Sequence, residues 1–88
     1  MFLHLGGDMS VPLAEVVAVL RADLAGYGPN REMIQSLRAA GKVRTLPGGP
    51  PRAMVLTTGC LYLTAVSPLT LKRRGTFLYL NWPEEEMK

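Results

Sequence analysis

The sequence predicts a small α+β domain with an antiparallel sheet, one amphipathic helix and a short second helix. Three stretches carry that expectation. Arg52–Thr57 and Cys60–Val66 are rich in β-branched, aromatic and other apolar residues around a Thr58-Gly59 turn, so they read as a hairpin. Arg31–Ala40 sets Met33, Ile34, Leu37 and Ala40 in one stripe at helical spacing. Arg31, Gln35 and Arg38 fall within about 60° of one another on the other side of that helix. Ser67 then offers an N-cap oxygen and Pro68 a first helical residue whose missing N–H costs nothing. Leu69 and Leu71 lie about 200° apart on a helix, so this second one spans one or two turns. Lys72, Arg73 and Arg74 stand in its last turn, where cations suit the negative end of the dipole, and Gly75 is placed to stop it.

The other elements follow in chain order. Met1–Leu5 alternates as a strand, and Gly6-Gly7-Asp8 turns it into a second strand at Met9–Val11. Pro12–Ala25 is ambiguous by itself and taken alone leans narrowly to a helix. Its Ala and Leu residues favour a helix, while Val16, Val17 and Val19 favour a strand, and periodicity does not decide a short apolar run. Gly26-Tyr27-Gly28-Pro29 is a break, Asn30 is an expected N-cap, and Gly41 ends the helix. Lys42–Leu46 resumes a strand, after which Pro47-Gly48-Gly49-Pro50-Pro51 is a loop. It is not a phosphate loop, because the closing Gly-Lys-Ser/Thr is missing. Thr76–Trp82 alternates as a final strand, and Pro83 ends it. The expected organisation is one domain over residues 1–82 and an acidic tail over 83–88.

Composition narrows the function classes. The chain has 88 residues, 48% hydrophobic, with a mean hydropathy of +0.13, greasy for so small a domain. Its longest apolar run, Val16–Leu20, is far short of the ~20 residues a membrane span needs, so no membrane partner is expected. No secretory signal pattern opens the sequence, and the lone Cys60, read as a small buried hydrophobe, fits a reducing cytoplasm. His4, Asp8 and Ser10 do not have the arrangement of a triad, which needs a base oriented by a third group. With no paired carboxylates, metal-ligand cluster or activated nucleophile in view, neither enzymatic activity nor a cofactor or metal is expected.

Charge is informative by region. Residues 1–30 sum to −2 and residues 75–88 to −2, whereas residues 31–74 set eight cations against Glu32 alone. That asymmetry points to a polyanionic partner. Hydropathy points to a second partner. Val16–Leu20, Ala53–Leu56 and Leu61–Val66 are largely apolar on both sides of the pleat, and a single ten-residue helix does not cover a second sheet face. The surplus is expected to meet another chain, making a homo-oligomer.

The opening M-F-L-H-L-G-G-D, the helix R-E-M-I-Q-S-L-R-A-A-G and the ending A-V-S-P-L-T-L-K-R-R together resemble the RemA/RemB family of bacterial extracellular-matrix regulators, the RemB branch most. The likeness runs from Met1 to about Trp82. It implies a small α+β protein, similar in fold to LytTR-type domains, that assembles into rings and binds double-stranded DNA to activate matrix genes. It also tips the ambiguous segment to a strand over Glu15–Arg21. In the RemA branch an arginine pair implicated in DNA contact precedes the arginine that opens the hairpin. Here those positions are Gly49 and Pro50, or Pro50 and Pro51, and only Arg52 is kept. DNA contact is therefore expected from Lys72, Arg73, Arg74, Arg52, Arg31 and Arg38. The alternative is an oligomeric protein-binding adaptor whose basic surface is merely solvated.

Overall fold

The computed structural model describes residues 1–75; the expected final strand Thr76–Trp82 and the acidic tail lie outside the described residues. The chain opens with a hairpin of β1 (Phe2–Gly6) and β2 (Met9–Pro12), paired Leu3 with Val11 and His4 with Ser10. The period-2 alternation turns Leu3, Leu5 and Val11 inward and leaves Phe2, His4 and Ser10 exposed. Gly6 closes the hairpin at φ 112°, and a Cβ there would also lie 3.1 Å from Val66 Cγ2. Only glycine serves both demands.

The ambiguous stretch resolves into three pieces. A 3-10 turn at Leu13–Glu15 leads into β3 (Val16–Arg21), and a second 3-10 turn at Ala22–Gly26 follows. The valines therefore decide the strand, and the Ala- and Leu-rich ends form only single turns.

Helix α1 (Gly28–Ala39) begins earlier than Asn30 suggests. Tyr27 is the extended residue before the first turn, Pro29 sits inside that turn, and Arg31 N–H donates the first helical bond to Tyr27 O at 2.7 Å. Asn30 is thus not the N-cap: its Nδ2 donates to Leu24 O at 3.0 Å and fastens the helix to the preceding 3-10 turn. At the other end Gly41 N–H reaches Arg38 O at 3.0 Å and Lys42 N–H reaches Leu37 O at 2.8 Å. With Gly41 at φ 73°, this is a Schellman stop. Ala40 falls outside the helix and is exposed, so the apolar stripe is Met33, Ile34 and Leu37.

After α1 come β4 (Val43–Thr45), β5 (Ala53–Thr57), β6 (Leu61–Thr64) and α2 (Pro68–Arg74). The expected single antiparallel sheet is in fact a two-stranded hairpin plus a mixed four-stranded sheet, ordered β3-β5-β6-β4 with β4 parallel to β6. The reason lies in α1, which carries the chain back to the end of the sheet where β6 begins. Leu61 N–H there donates to Lys42 O at 2.8 Å, so β4 starts in step with β6. The β5–β6 turn falls at Thr58-Gly59 as expected, but glycine's freedom does not hold it. Thr57 Oγ1 donates to Cys60 O at 2.8 Å and accepts from Cys60 N–H at 3.1 Å, so one threonine side chain clamps the turn. Cys60 closes this turn half-buried, more exposed than its reading as a core hydrophobe implies.

Both faces of the four-stranded sheet are covered from within the chain. On one face Ala53 and Val55 pack with Leu3, Leu5, Val11, Leu13, Leu46 and Leu71, beneath the β1–β2 hairpin and α2. On the other, Met54 and Leu61 pack with Ile34, flanked by Met33, Leu37 and Leu24. The expectation that the second apolar face is left over for another chain is thereby corrected, because the N-terminal hairpin lies on the sheet as a layer of its own. Thr64, 1% exposed, ties the layers together: its Oγ1 donates to Leu5 O and accepts from Val66 N–H.

Candidate nucleic-acid interface

The six cations expected at the interface do not form one patch. Their positions follow from which face each helix covers. Leu71 is the residue of α2 that is fully buried, so Arg73, about 200° further round, projects away from the sheet. Ser67 Oγ accepts from Thr70 N–H at 3.1 Å and starts this helix as a true N-cap, with Pro68 at its first position. Arg74 turns sideways, and its Nη1 donates to His4 O at 3.0 Å, holding α2 to β1. Lys72 is half-buried, whereas Arg73 and Arg74 are exposed.

Arg31 and Arg38 stand on the opposite side of the molecule. Ile34, 8% exposed, points α1 into the second core, which leaves Arg31, Gln35 and Arg38 exposed along the outer crest. Arg52 occupies the end of the sheet near the start of α1. Its N–H donates to Thr64 O at 2.7 Å and its carbonyl accepts from Ala22 N–H at 3.0 Å. By alternation from Met54 it belongs to the α1 side of the sheet. Pro47–Arg52 is exposed throughout, so this loop presents glycine and proline to solvent beside Arg52.

Two further cations extend these groups. Lys42 follows the α1 stop, exposed just before β4, where its carbonyl accepts from Leu61 N–H at 2.8 Å. Arg44 is exposed on β4, an edge strand among the described residues, and faces Tyr62 across the parallel pair. Tyr62's hydroxyl is held above its ordinary pKa by its hydrogen bond to Cys60 and by burial, while Arg44 pulls the other way. Arg21 belongs to neither group. It grips Asp23 with two guanidinium nitrogens, Nε at 3.0 Å, an exposed pair in which Arg21 holds the carboxyl below the usual aspartate range. In the hairpin His4 and Ser10 face each other, but His4 Nε2–H donates to Gly7 O at 2.9 Å and serves the turn.

Residues 2–74 match the family model described as RemA-like, extracellular matrix regulatory protein A-like. The chain belongs to this family. It is also 27% identical over 81 residues to the extracellular matrix regulatory protein B of Bacillus subtilis (strain 168), an alignment covering 90% of this chain and 95% of that protein. The matched span takes in the hairpin, both helices and all six candidate cations. Membership thus covers the whole described α+β architecture, including the RemA-like chain's basic middle. Among the described residues no helix is long and apolar enough to cross a membrane.

Proposed function

We propose that this RemA-like protein is a cytoplasmic, oligomeric DNA-binding regulator of the matrix-gene type, contacting duplex phosphates through its basic surface. The observation that carries the reading is the charge of residues 31–74, where eight cations face Glu32 alone. Family membership supplies the regulatory context: the relative it resembles is named an extracellular matrix regulatory protein. Lys72, Arg73, Arg74, Arg52, Arg31 and Arg38 are the proposed contact residues. Cations on helix crests meet phosphates more readily than base edges, so the binding is strongly salt-dependent and weakly sequence-specific.

Self-association belongs to the same proposal and rests on a narrower surface than both sheet faces. Phe2 is 65% and Val17 61% exposed, and Met1 is more exposed still. Leu13 N–H donates to Met1 O at 2.9 Å, which sets the start of β1 beside the turn that leads into β3. Among the described residues β3 is also an edge strand, with Val17 at the irregularity in its ladder between Val16 and Ala18. An edge strand that displays an apolar side chain is a natural place for a second copy.

The test is fluorescence anisotropy with a labelled duplex at several salt concentrations. The expected result is a log K that falls with log salt at about −0.9 per phosphate engaged. Absence of any salt-sensitive retention would overturn the DNA-binding reading and leave the oligomeric protein-binding adaptor.

A further inference from the structure

Helix α1 carries a basic stripe that is separate from the cations of α2. Arg31, Gln35 and Arg38 share the outer face of the helix at steps of four and three residues, Tyr27 is the residue before its first turn, and Lys42 follows the Gly41 stop; all five are exposed. Every one of them has a hydrogen-bond donor suited to phosphate or sugar oxygens. No acid lies on the stripe, since Glu32 is about 100° round from Arg31. Among the described residues Arg31, Arg38 and Lys42 make no ion pair or side-chain hydrogen bond. Fold stability does not account for the arrangement either. Arg31 stands in the first turn of α1, which holds no acidic residue, and there the helix dipole disfavours a cation.

The opposite side of the sheet carries the other group. α2 packs Leu71 into the core beneath the hairpin, whereas α1 packs Ile34 into the core across the sheet. The crests of the two helices therefore face away from each other across a domain of 34 × 29 × 24 Å. Duplex DNA has a persistence length of about 50 nm, so a duplex of ~20 bp lying along one crest does not curl round to the other.

We propose that α1 forms a second phosphate-contact surface, so that one subunit holds two duplex segments on opposite faces of its sheet and bridges them. This inference rests on the DNA-binding reading above. Tyr27, Arg31, Gln35, Arg38 and Lys42 form one contact surface; the last turn of α2 forms the other.

The experiment immobilises one 20-bp duplex on beads and asks whether the full-length protein retains a second, fluorescent duplex. Single-duplex affinity is measured in parallel by anisotropy. The native chain is expected to retain the second duplex in a salt-sensitive manner. R31S/R38S/K42S, altered only at exposed positions, is expected to stay folded by circular dichroism and unchanged in mass by light scattering. It should bind one duplex more weakly and with a shallower salt slope, yet lose retention of the second by more than tenfold. R73S/R74S should show the same loss of bridging while still binding one duplex through α1. The proposal is overturned if the native chain binds one duplex but never a second. It is equally overturned if R31S/R38S/K42S bridges as well as the native chain, since bridging would then come from repetition of the α2 surface in an oligomer. Loss of all single-duplex binding in R73S/R74S would also sink it, because α1 would then not be a surface of its own. Failure of the native chain to bind even one duplex at low salt would instead strike at the DNA-binding reading itself.

Discussion

A single hydroxyl shows how narrowly the layers of this domain are joined. Thr64 is buried between the hairpin and the sheet, and its Oγ1 meets two backbone groups, Leu5 O and Val66 N–H. Thr64→Val keeps the shape and the β-branch but leaves both partners without that bond. Unmet buried polar groups cost about 1–3 kcal/mol, so the variant is expected to lose that much in urea unfolding. A loss below ~0.5 kcal/mol would mean that water replaces the hydroxyl. The sequence alone does not reveal this residue, because a threonine in a strand is ordinary β-former composition. Its importance comes from a contact with a residue 59 positions away. Thr57, by contrast, acts on Gly59 and Cys60 within its own turn, a local pattern that sequence can suggest.

At the scale of elements, α1 separates packing from surface charge. Ile34 is the buried member of its stripe, whereas Met33 and Leu37 are half-buried and Arg38 is exposed. Ile34→Ala is expected to cost roughly 2–5 kcal/mol, since it removes a core side chain and leaves a cavity. Arg38→Ala, at a solvated position, is expected to stay within about 0.5 kcal/mol of the native chain. Chemical denaturation of the two variants checks the assignment of faces, and equal losses would contradict it. This helix was legible because its apolar residues recur at helical spacing and Gly41 supplies the only conformation that closes a Schellman turn. Its start was less legible. Asn30 has the chemistry of a cap, but Pro29 fits the first turn so well that the helix absorbs both residues and Asn30 turns to Leu24. Sequence periodicity also cannot report that β4 runs parallel to β6, because parallel and antiparallel edge strands of three residues look alike.

At the scale of the molecule, the apolar surplus and the charge surplus follow different rules. Charge was legible as a sum over residues 31–74, but not as a surface, since the sum does not say that the two helices cover opposite faces. The apolar strands suggested a second chain, yet much of their surplus is met by the N-terminal hairpin, whose Leu3 and Leu5 are fully buried against the sheet. Among the described residues the exposed start of β1 and Val17 on the edge strand β3 are the apolar surface proposed for self-association. Static light scattering at micromolar concentration is expected to give several times the 9.6 kDa of one chain. Val17→Asp puts a charge on that edge, where unpaired strands are ordinarily protected, and should shift the mass toward the monomer. Because Val17 is already largely exposed, the same change should leave thermal unfolding of the isolated subunit nearly unaltered. A native chain that scatters as a clean monomer would remove the oligomer from the proposal. An oligomer that withstands Val17→Asp would move the contact away from the β3 edge.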